Sequence, residues 1–112
     1  MKAAIYREFG SPDVLGYEDI DDPIAGLGEI VVEVHAVTVN RVLDCAVRAG
    51  EQTQRGVVLP HIGGVDPAGI VRDVGDDVSN VVTGDRVALL SRAPCLDCKH
   101  CTAGDFKKCS AS

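Results

Sequence analysis

The sequence has 112 residues, of which 46% are hydrophobic and 25% charged, and this composition is typical of one globular domain. The formal net charge of −6 gives no electrostatic reason to bind a phosphate backbone, so we expect no nucleic-acid partner. No apolar run approaches the roughly 20 residues that cross a bilayer, and charges between Lys2 and Glu8 replace the apolar region of a secretory signal. We therefore expect a cytoplasmic protein without membrane contact.

Three β-strands are predicted in the first forty residues. The segments 2–8 and 14–21 are each followed by a turn signal, and 29–39 is the clearest strand. One face of this third strand carries the alternating residues Ile30, Val32, Val34 and Ala36. The opposite face is expected to be wetter, and it carries Glu29, Val31, Glu33 and His35. We expect His35 to be solvated rather than a ligand.

One short helix is predicted from Arg41 to Ala49, followed by Gly50 as its stop. Its apolar residues at helical spacing are Val42, Leu43, Ala46 and Val47. Beyond a polar loop at 51–55, His61 is expected in a turn, and two further strands are predicted at 68–74 and 86–91. Many short valine-rich strands with one helix indicate a mainly β fold, an antiparallel barrel or sandwich.

Four cysteines near the end of the sequence follow the spacing Cys-x2-Cys-x2-Cys-x7-Cys, and they are Cys95, Cys98, Cys101 and Cys109. Two-residue gaps let neighbouring sulfurs face one centre, and the longer arm supplies the fourth ligand of a tetrahedral zinc ion. Four thiolates leave no open coordination position, so the zinc would be structural, and His100 is expected not to be a ligand. Lys99, Lys107 and Lys108 are expected to balance the negative charge of the thiolates. The alternative is a pair of disulfides or a redox couple. Cys45, in contrast, is expected to be a small buried apolar residue.

Three further motifs occur in series before the cysteines. They are Val39-Asn40-Arg41-Val42-Leu43-Asp44, Gly64-Val65-Asp66-Pro67-Ala68-Gly69 and Gly84-Asp85-Arg86-Val87. With the cysteine spacing, this series resembles the N-terminal catalytic domain of the zinc-containing alcohol dehydrogenases, in the medium-chain dehydrogenase/reductase superfamily. The resemblance implies an incomplete GroES-like β-barrel segment over 1–91, with one short helix, and a structural-zinc lobe of the same domain over 92–112. The Rossmann domain that binds NAD or NADP in this family is expected to be absent, as no Gly-x-Gly-x-x-Gly is present.

The resemblance also implies a function as the substrate-side domain of an NAD(P)-dependent oxidoreductase that acts on a small molecule. Zinc-dependent members have a catalytic cysteine where Arg41 stands and Gly-His-Glu where Gly64-Val65-Asp66 stands, so the catalytic zinc is expected to be lacking. Quinone-oxidoreductase-like members lack this zinc too, yet they usually lack the structural zinc lobe as well. The chain alone is expected to be inactive. The alternatives are a stand-alone zinc-binding interaction module and a thiol redox switch.

The residues expected to line the cleft that faces the cofactor domain are Asn40, Arg41, Asp44 and Asp66. Asn40 and Arg41 are also candidates for cofactor binding, because an amide and a guanidinium suit polar contacts and anions. Alternatively, Asn40 caps the helix, Asp44 lies on its solvated face and Asp66 forms a turn with Pro67. An incomplete barrel exposes strand edges, so a homo-oligomer is expected as well.

Overall fold

Two three-stranded antiparallel sheets form the protein in a computed structural model that describes residues 1–51, 57–90 and 94–109. The first sheet has the order β2-β1-β4, with β1 at Lys2–Tyr6, β2 at Gly16–Asp19 and β4 at His61–Ile62. The second has the order β3-β5-β6, with β3 at Ile30–Val37, β5 at Pro67–Val74 and β6 at Arg86–Ala88. Two α-helices, α1 at Arg41–Ala49 and α2 at Lys99–Thr102, and 3-10 turns at Pro12–Val14 and Phe106–Lys108 complete the described elements.

The predicted mainly β fold is confirmed, although several element boundaries differ. The strand expected at 14–21 is a 3-10 turn followed by the shorter β2, and the strands expected at 2–8 and 29–39 each end two residues earlier. A second helix, α2, was not expected, because four residues between cysteines carry no apolar periodicity. The strand expected at 86–91 is shorter than predicted, because β6 ends at Ala88 and residues 89–90 are not in a strand. Residue 91, most of the loop expected at 51–55 and the boundary between 91 and 92 lie outside the described residues.

The first sheet is organised around β1, the middle strand. Ala3, Ile5 and Tyr6 of this strand are buried, and Ile5 and Tyr6 pair with β4. The turn expected at His61 is therefore wrong: His61 pairs with Tyr6, and the two rings meet edge to face with centroids 5.5 Å apart. A two-residue strand is too short to show alternation, and Pro60 and Gly63 on either side of it are typical turn residues.

The second sheet contains the two longest strands, β3 and β5. Val71 is 1% exposed and Val31 is buried, whereas Val34 and Ala36 are exposed, so the expected faces of β3 are wrong. The pairing register shifts between Val31 and Val32 and again between Val34 and Ala36. The extra residue is Arg72 of β5 at the first shift and His35 of β3 at the second. Such an extra residue moves the alternation of its own strand by one position, which a strict two-residue pattern does not predict.

The helix α1 has the predicted bounds because both of its ends are capped. The Asn40 side chain accepts a hydrogen bond from the Leu43 N–H at 3.1 Å, and the Asp44 carboxylate accepts one from the Asn40 N–H at 2.9 Å. At the other end Gly50 has φ +85° and donates to the Val47 carbonyl. These caps fix the helix directly after β3, beside the first sheet's middle strand.

The space between the two sheets is open and lined with apolar side chains. Val34, Val37 and Ile62 are 54%, 52% and 43% exposed, and they line one cavity of about 490 Å³. No described strand pairs with both sheets, so the described residues form an open, incomplete barrel. Asp22 joins the sheets at one corner, where its carboxylate contacts the Met1 ammonium at 2.9 Å and Arg72 of β5 at 3.1 Å. Within the described ranges, no helix has the length and apolar character needed to span a bilayer.

Candidate functional site

The four cysteines predicted to bind zinc converge in the structure. The sulfur atoms of Cys95, Cys98, Cys101 and Cys109 all lie within 4.8 Å of one another. Cys101 and Cys109 are buried, Cys98 is half-buried and Cys95 is exposed. The cluster therefore has a shielded side and one side open to solvent.

Local backbone geometry brings these sulfurs together. Leu96 has φ +61°, a left-handed conformation that turns the chain tightly after Cys95 and lets the Cys98 N–H donate to the Cys95 sulfur at 3.3 Å. Cys98 then occupies the N-cap position of the short helix α2, which places Cys101 one turn later. The 3-10 turn at Phe106–Lys108 returns Cys109, and the Cys95 N–H donates to the Cys109 sulfur at 3.4 Å. Donation by N–H groups favours the charged form of a thiolate ligand.

Electrostatics in the cluster oppose ionisation in the absence of a cation. Burial, above all, and the neighbouring thiols of Cys98, Cys109 and Cys95 raise the pKa of Cys101 to about 12, while the backbone N–H of Leu96 acts in the opposite direction. A thiolate surrounded by other sulfurs lacks compensation for its charge. A divalent cation at the centre would supply that compensation, since thiolates are the form that binds metal.

The sulfur spacing fits a tetrahedral metal better than a disulfide. Zinc–sulfur bonds of about 2.3 Å in a tetrahedron place the sulfurs about 3.8 Å apart. The Cys95 and Cys101 sulfurs are 3.9 Å apart, whereas a disulfide requires about 2.05 Å. All five cysteines are free thiols in the structure. The four sulfurs could therefore hold one metal ion, and an ion bound by all four would have no open coordination position for substrate.

Two residues beside the cluster make contacts with Asp105. Lys108, one of the lysines expected to balance the thiolate charge, forms an ion pair with Asp105 at 2.7 Å. The His100 side chain is not part of the described metal-binding group, and its carbonyl accepts a hydrogen bond from Asp105 at 2.8 Å. These contacts stabilise the turn between α2 and Cys109.

The four cleft candidates are divided between two places. Arg41 and Asp44 line a cavity of about 380 Å³ between β1 and α1, whereas Asn40 and Asp66 are not among its lining residues. Asn40 and Asp44 form the capping hydrogen bonds of α1. Asp66 immediately precedes β5 and accepts a hydrogen bond from the Thr38 hydroxyl at 2.9 Å. No described residue pairs with the guanidinium of Arg41.

Three polar residues that were not predicted line the same cavity, and they are Tyr6, Thr38 and Arg48. The expected burial of Cys45 is wrong, because Cys45 is exposed on the α1 wall of this open cavity. The sequence does contain a pattern that predicts the α1 wall of this cavity. Arg41, Asp44, Cys45 and Arg48 follow the spacing i, i+3, i+4, i+7, which places them on one helix face.

Comparison with known proteins places these features in a family. The family model described as the alcohol dehydrogenase GroES-like domain matches residues 26–112. A quinone oxidoreductase of Sus scrofa is 38% identical over 92 residues, which are 81% of this chain and 27% of that protein. An alcohol dehydrogenase of Moraxella sp. is 36% identical over 105 residues, 93% of this chain and 30% of that protein.

The fold is also similar to solved structures. A thermostable alcohol dehydrogenase of Pyrobaculum aerophilum, described as cobalt- and zinc-bound, superposes with a TM-score of 0.87 and 33% identity, over 98% of this chain and 32% of that one. The chain thus spans about a third or less of the length of these relatives. The chain belongs to the family of alcohol dehydrogenase GroES-like domains.

Proposed function

We propose that this chain is the substrate-side domain of an NAD(P)-dependent oxidoreductase and that it holds one structural zinc ion. The observation that carries the zinc proposal is the convergence of four sulfurs within 4.8 Å in a member of this family. Cys95, Cys98, Cys101 and Cys109 would bind the ion. It would supply folding free energy and no chemistry, because four thiolates complete its coordination.

The lobe around these cysteines has little else to stabilise it. Its sizeable apolar residues, Leu96 and Phe106, are 68% and 44% exposed. Structural zinc binds small peptides with about 10–16 kcal/mol of apparent free energy, enough to order such a segment. We therefore expect the described lobe, residues 94–109, to lose its structure when the metal is removed.

Metal content and thiol reactivity test this proposal together. Protein purified without added zinc should contain one zinc ion per chain, and under native conditions one thiol, the exposed Cys45, should react rapidly while four are protected. A strong chelator should make all five reactive. Cys45→Ser is the matched control, since it should remove the rapid phase and leave the metal content unchanged. Metal-free protein with oxidised cysteines would instead support the thiol redox switch.

We also propose that a catalytic zinc is lacking. Neither the guanidinium of Arg41 nor the side chain of Val65 can ligate zinc, and Asp66 is hydrogen-bonded to Thr38. The same metal measurement tests this point, because a second bound zinc ion would contradict it. Hydride transfer would then depend on the positions of substrate and cofactor rather than on a metal that polarises the substrate.

The redox activity itself would need more polypeptide than this chain. Its relatives are about three times as long, and we propose that NAD or NADP binds to a separate domain. The 112-residue chain should therefore show no turnover of alcohols or quinones with added NAD or NADP. Turnover by the purified chain would overturn this part of the proposal. Reduced thiols on the proposed zinc ion would also favour a cytoplasmic location.

A stand-alone zinc-binding interaction module remains the second proposal, and metal content does not separate it from the first. The reading frame downstream of Ser112 does. A continuing frame that encodes a Gly-x-Gly-x-x-Gly strand–helix unit supports the oxidoreductase. A stop codon there supports the interaction module.

A further inference from the structure

Arg41 is the first residue of α1, and its guanidinium forms no ion pair within the part of the chain that the structure describes. The positive end of the helix dipole lies at this position and disfavours a cation there. The Asp44 carboxylate, one turn along, accepts a hydrogen bond from the Asn40 N–H instead of pairing with Arg41. Arg41 therefore costs α1 stability without a compensating contact, a departure that is typical of functional residues.

Arg41 lines the cavity of about 380 Å³ between β1 and α1, and the wall opposite α1 is mainly apolar. Leu15 and Val39 on this lining are 48% and 86% exposed, so apolar surface beside the guanidinium is open to a ligand. Covering such surface is favourable in water. A molecule with an apolar body and an anionic end would match both the wall and the cation.

The other charged groups of this cavity offset each other. Asp44 and Arg48 are four residues apart on α1, so their opposite charges share one helix face. Burial, foremost, and the Asp44 carboxylate raise the pKa of Tyr6, and the Arg48 cation partly offsets them, so the phenol is uncharged at neutral pH. Arg41 is thus the cation of this lining whose charge is not balanced.

We propose that this cavity binds a carboxylate-bearing molecule with an apolar body and that Arg41 holds the carboxylate. A guanidinium presents paired N–H groups that match the two oxygens of a carboxylate. A phosphate group offers the same charge, but it would leave the apolar wall uncovered. Arg41 is then a specificity-determining residue for an acidic substrate. Only the assignment as a substrate site rests on the proposed oxidoreductase function, since the binding stands on the cavity and its charge.

The probe trans-cinnamate joins a carboxylate to an apolar aromatic body, and trans-cinnamamide is its uncharged counterpart. Titration into the purified 112-residue chain, followed by NMR of the backbone amides, should shift those of Thr38 and Arg41 with a dissociation constant on the order of millimolar. Cinnamamide should bind about three- to tenfold more weakly, because it lacks the charge-assisted contact. Added salt should weaken the binding of cinnamate and leave that of cinnamamide unchanged.

Arg41→Gln should weaken cinnamate binding about three- to tenfold and leave cinnamamide binding unchanged. Arg41→Lys keeps the charge without the paired N–H groups, so its cinnamate affinity should lie between the two. Arg86→Gln is the matched control and should bind as tightly as the unmodified chain. Arg86 is also exposed and lacks an ion-pair partner among the described residues, but it lies outside this cavity.

Three binding results would overturn the inference. They are no saturable binding of cinnamate, equal binding of cinnamate by Arg41→Gln and the unmodified chain, and equal binding of cinnamate and cinnamamide. Inorganic phosphate, titrated in the same way, should bind more weakly than cinnamate. Tighter binding of phosphate that depends on Arg41 would assign the guanidinium to a phosphate group instead.

Thermal unfolding of ligand-free Arg41→Gln separates a binding role from a structural one. This variant should be at least as stable as the unmodified chain, because it removes an unfavourable charge from the start of α1. A clear loss of stability would mean that the guanidinium already has a structural partner, and it would contradict the inference.

A second pair of variants tests the apolar wall. Leu15→Ser removes part of it, and Leu27→Ser is the control at an exposed residue outside the cavity. Leu15→Ser should weaken cinnamate binding severalfold and Leu27→Ser should not, whereas equal binding would overturn the site. Binding by NMR requires no turnover, zinc content is read on the same samples, and the downstream reading frame tests the oxidoreductase. Failure of this inference is therefore distinguishable from failure of the proposed function.

Discussion

At the scale of single residues, the start of α1 depends on two reciprocal hydrogen bonds. Asn40 caps the helix through its side chain, while Asp44 accepts from the Asn40 backbone. These hydrogen bonds support the prediction that Asn40 caps and stabilises α1. Its place in a cofactor cleft stays a prediction, because a cap and a cleft contact are compatible at the same position.

Asn40→Ala should lower the free energy of unfolding by about 1 kcal/mol, because the N–H of Leu43 loses its acceptor. Asn40→Asp, which keeps an acceptor oxygen, should lower it much less. Urea unfolding measures both, with Asn80→Ala at an exposed position as the control. Equal stability of Asn40→Ala and Asn80→Ala would contradict the cap.

Glu18 of β2 forms an ion pair with Arg7, the residue that directly follows β1. Its hydrogen bond with Arg7, at 2.8 Å, and the charge of Arg7 lower the pKa of Glu18 below that of an ordinary glutamate. The pair therefore stabilises the fold at neutral pH, and its contribution is lost as the pH falls through this lowered pKa. Because both side chains are solvent-accessible, the effect on stability is small.

NMR titration of the Glu18 carboxyl group should give a lowered midpoint that rises in Arg7→Gln. Arg72→Gln is the matched control, since Arg72 pairs with Asp22 instead. It should raise the pKa of Asp22, which the Met1 ammonium and Arg72 hold low, and leave Glu18 unchanged. A Glu18 midpoint that does not respond to Arg7→Gln would contradict the ion pair.

At the scale of elements, the second sheet depends on a close approach between β3 and β5. A Cβ atom on Gly69 would lie 1.9 Å from the Glu33 carbonyl oxygen, a distance that forces the strands apart. Gly69 belongs to the second motif of the sequence, and its role here is structural. At this position the motif therefore reflects the close packing of β3 and β5 rather than a catalytic or binding role.

Gly69→Ala should lower the free energy of unfolding by about 2–4 kcal/mol, because backbone on the neighbouring strand cannot move aside cheaply. Gly63→Ala is the matched control, since its nearest atom would be 4.0 Å away. Denaturant unfolding compares the two variants. If Gly69→Ala matched Gly63→Ala, the close strand contact would be wrong.

The sequence predicted the elements that have local signals and missed those that depend on partners. Helix α1 has a capping asparagine, a glycine stop and apolar spacing, and its bounds are correct. The faces of β3 depend on register shifts against β5, and β4 depends on pairing with Tyr6. The cysteine cluster follows from spacing alone, whereas the burial of Tyr6 depends on contacts that only the three-dimensional structure shows.

At the scale of the whole molecule, apolar side chains remain exposed between the two sheets. Val34, Val37 and Ile62 line one cavity and are each about half exposed. Exposed apolar patches and strand edges favour association. The expected homo-oligomer stays a prediction, and this surface is where we expect two copies to meet.

Sedimentation analysis at increasing concentration should show self-association of the zinc-loaded chain. Val34→Lys places a charge on this surface and should shift the equilibrium toward monomer at least severalfold. Leu27→Lys, at an apolar residue that is 74% exposed elsewhere, should have no such effect. A single monomeric species at high concentration in the unmodified chain would contradict the prediction.

The unequal shielding of the four sulfurs has a kinetic consequence. Exchange of an ion from a closed ligand set begins when one ligand detaches, and solvent reaches Cys95 before the enclosed Cys101 and Cys109. Of the four ligands, a chelator would thus reach Cys95 first, and the two enclosed sulfurs would release the proposed ion last. The lifetime of the proposed metal centre would then depend mainly on the detachment of Cys95, even though its affinity would depend on all four sulfurs.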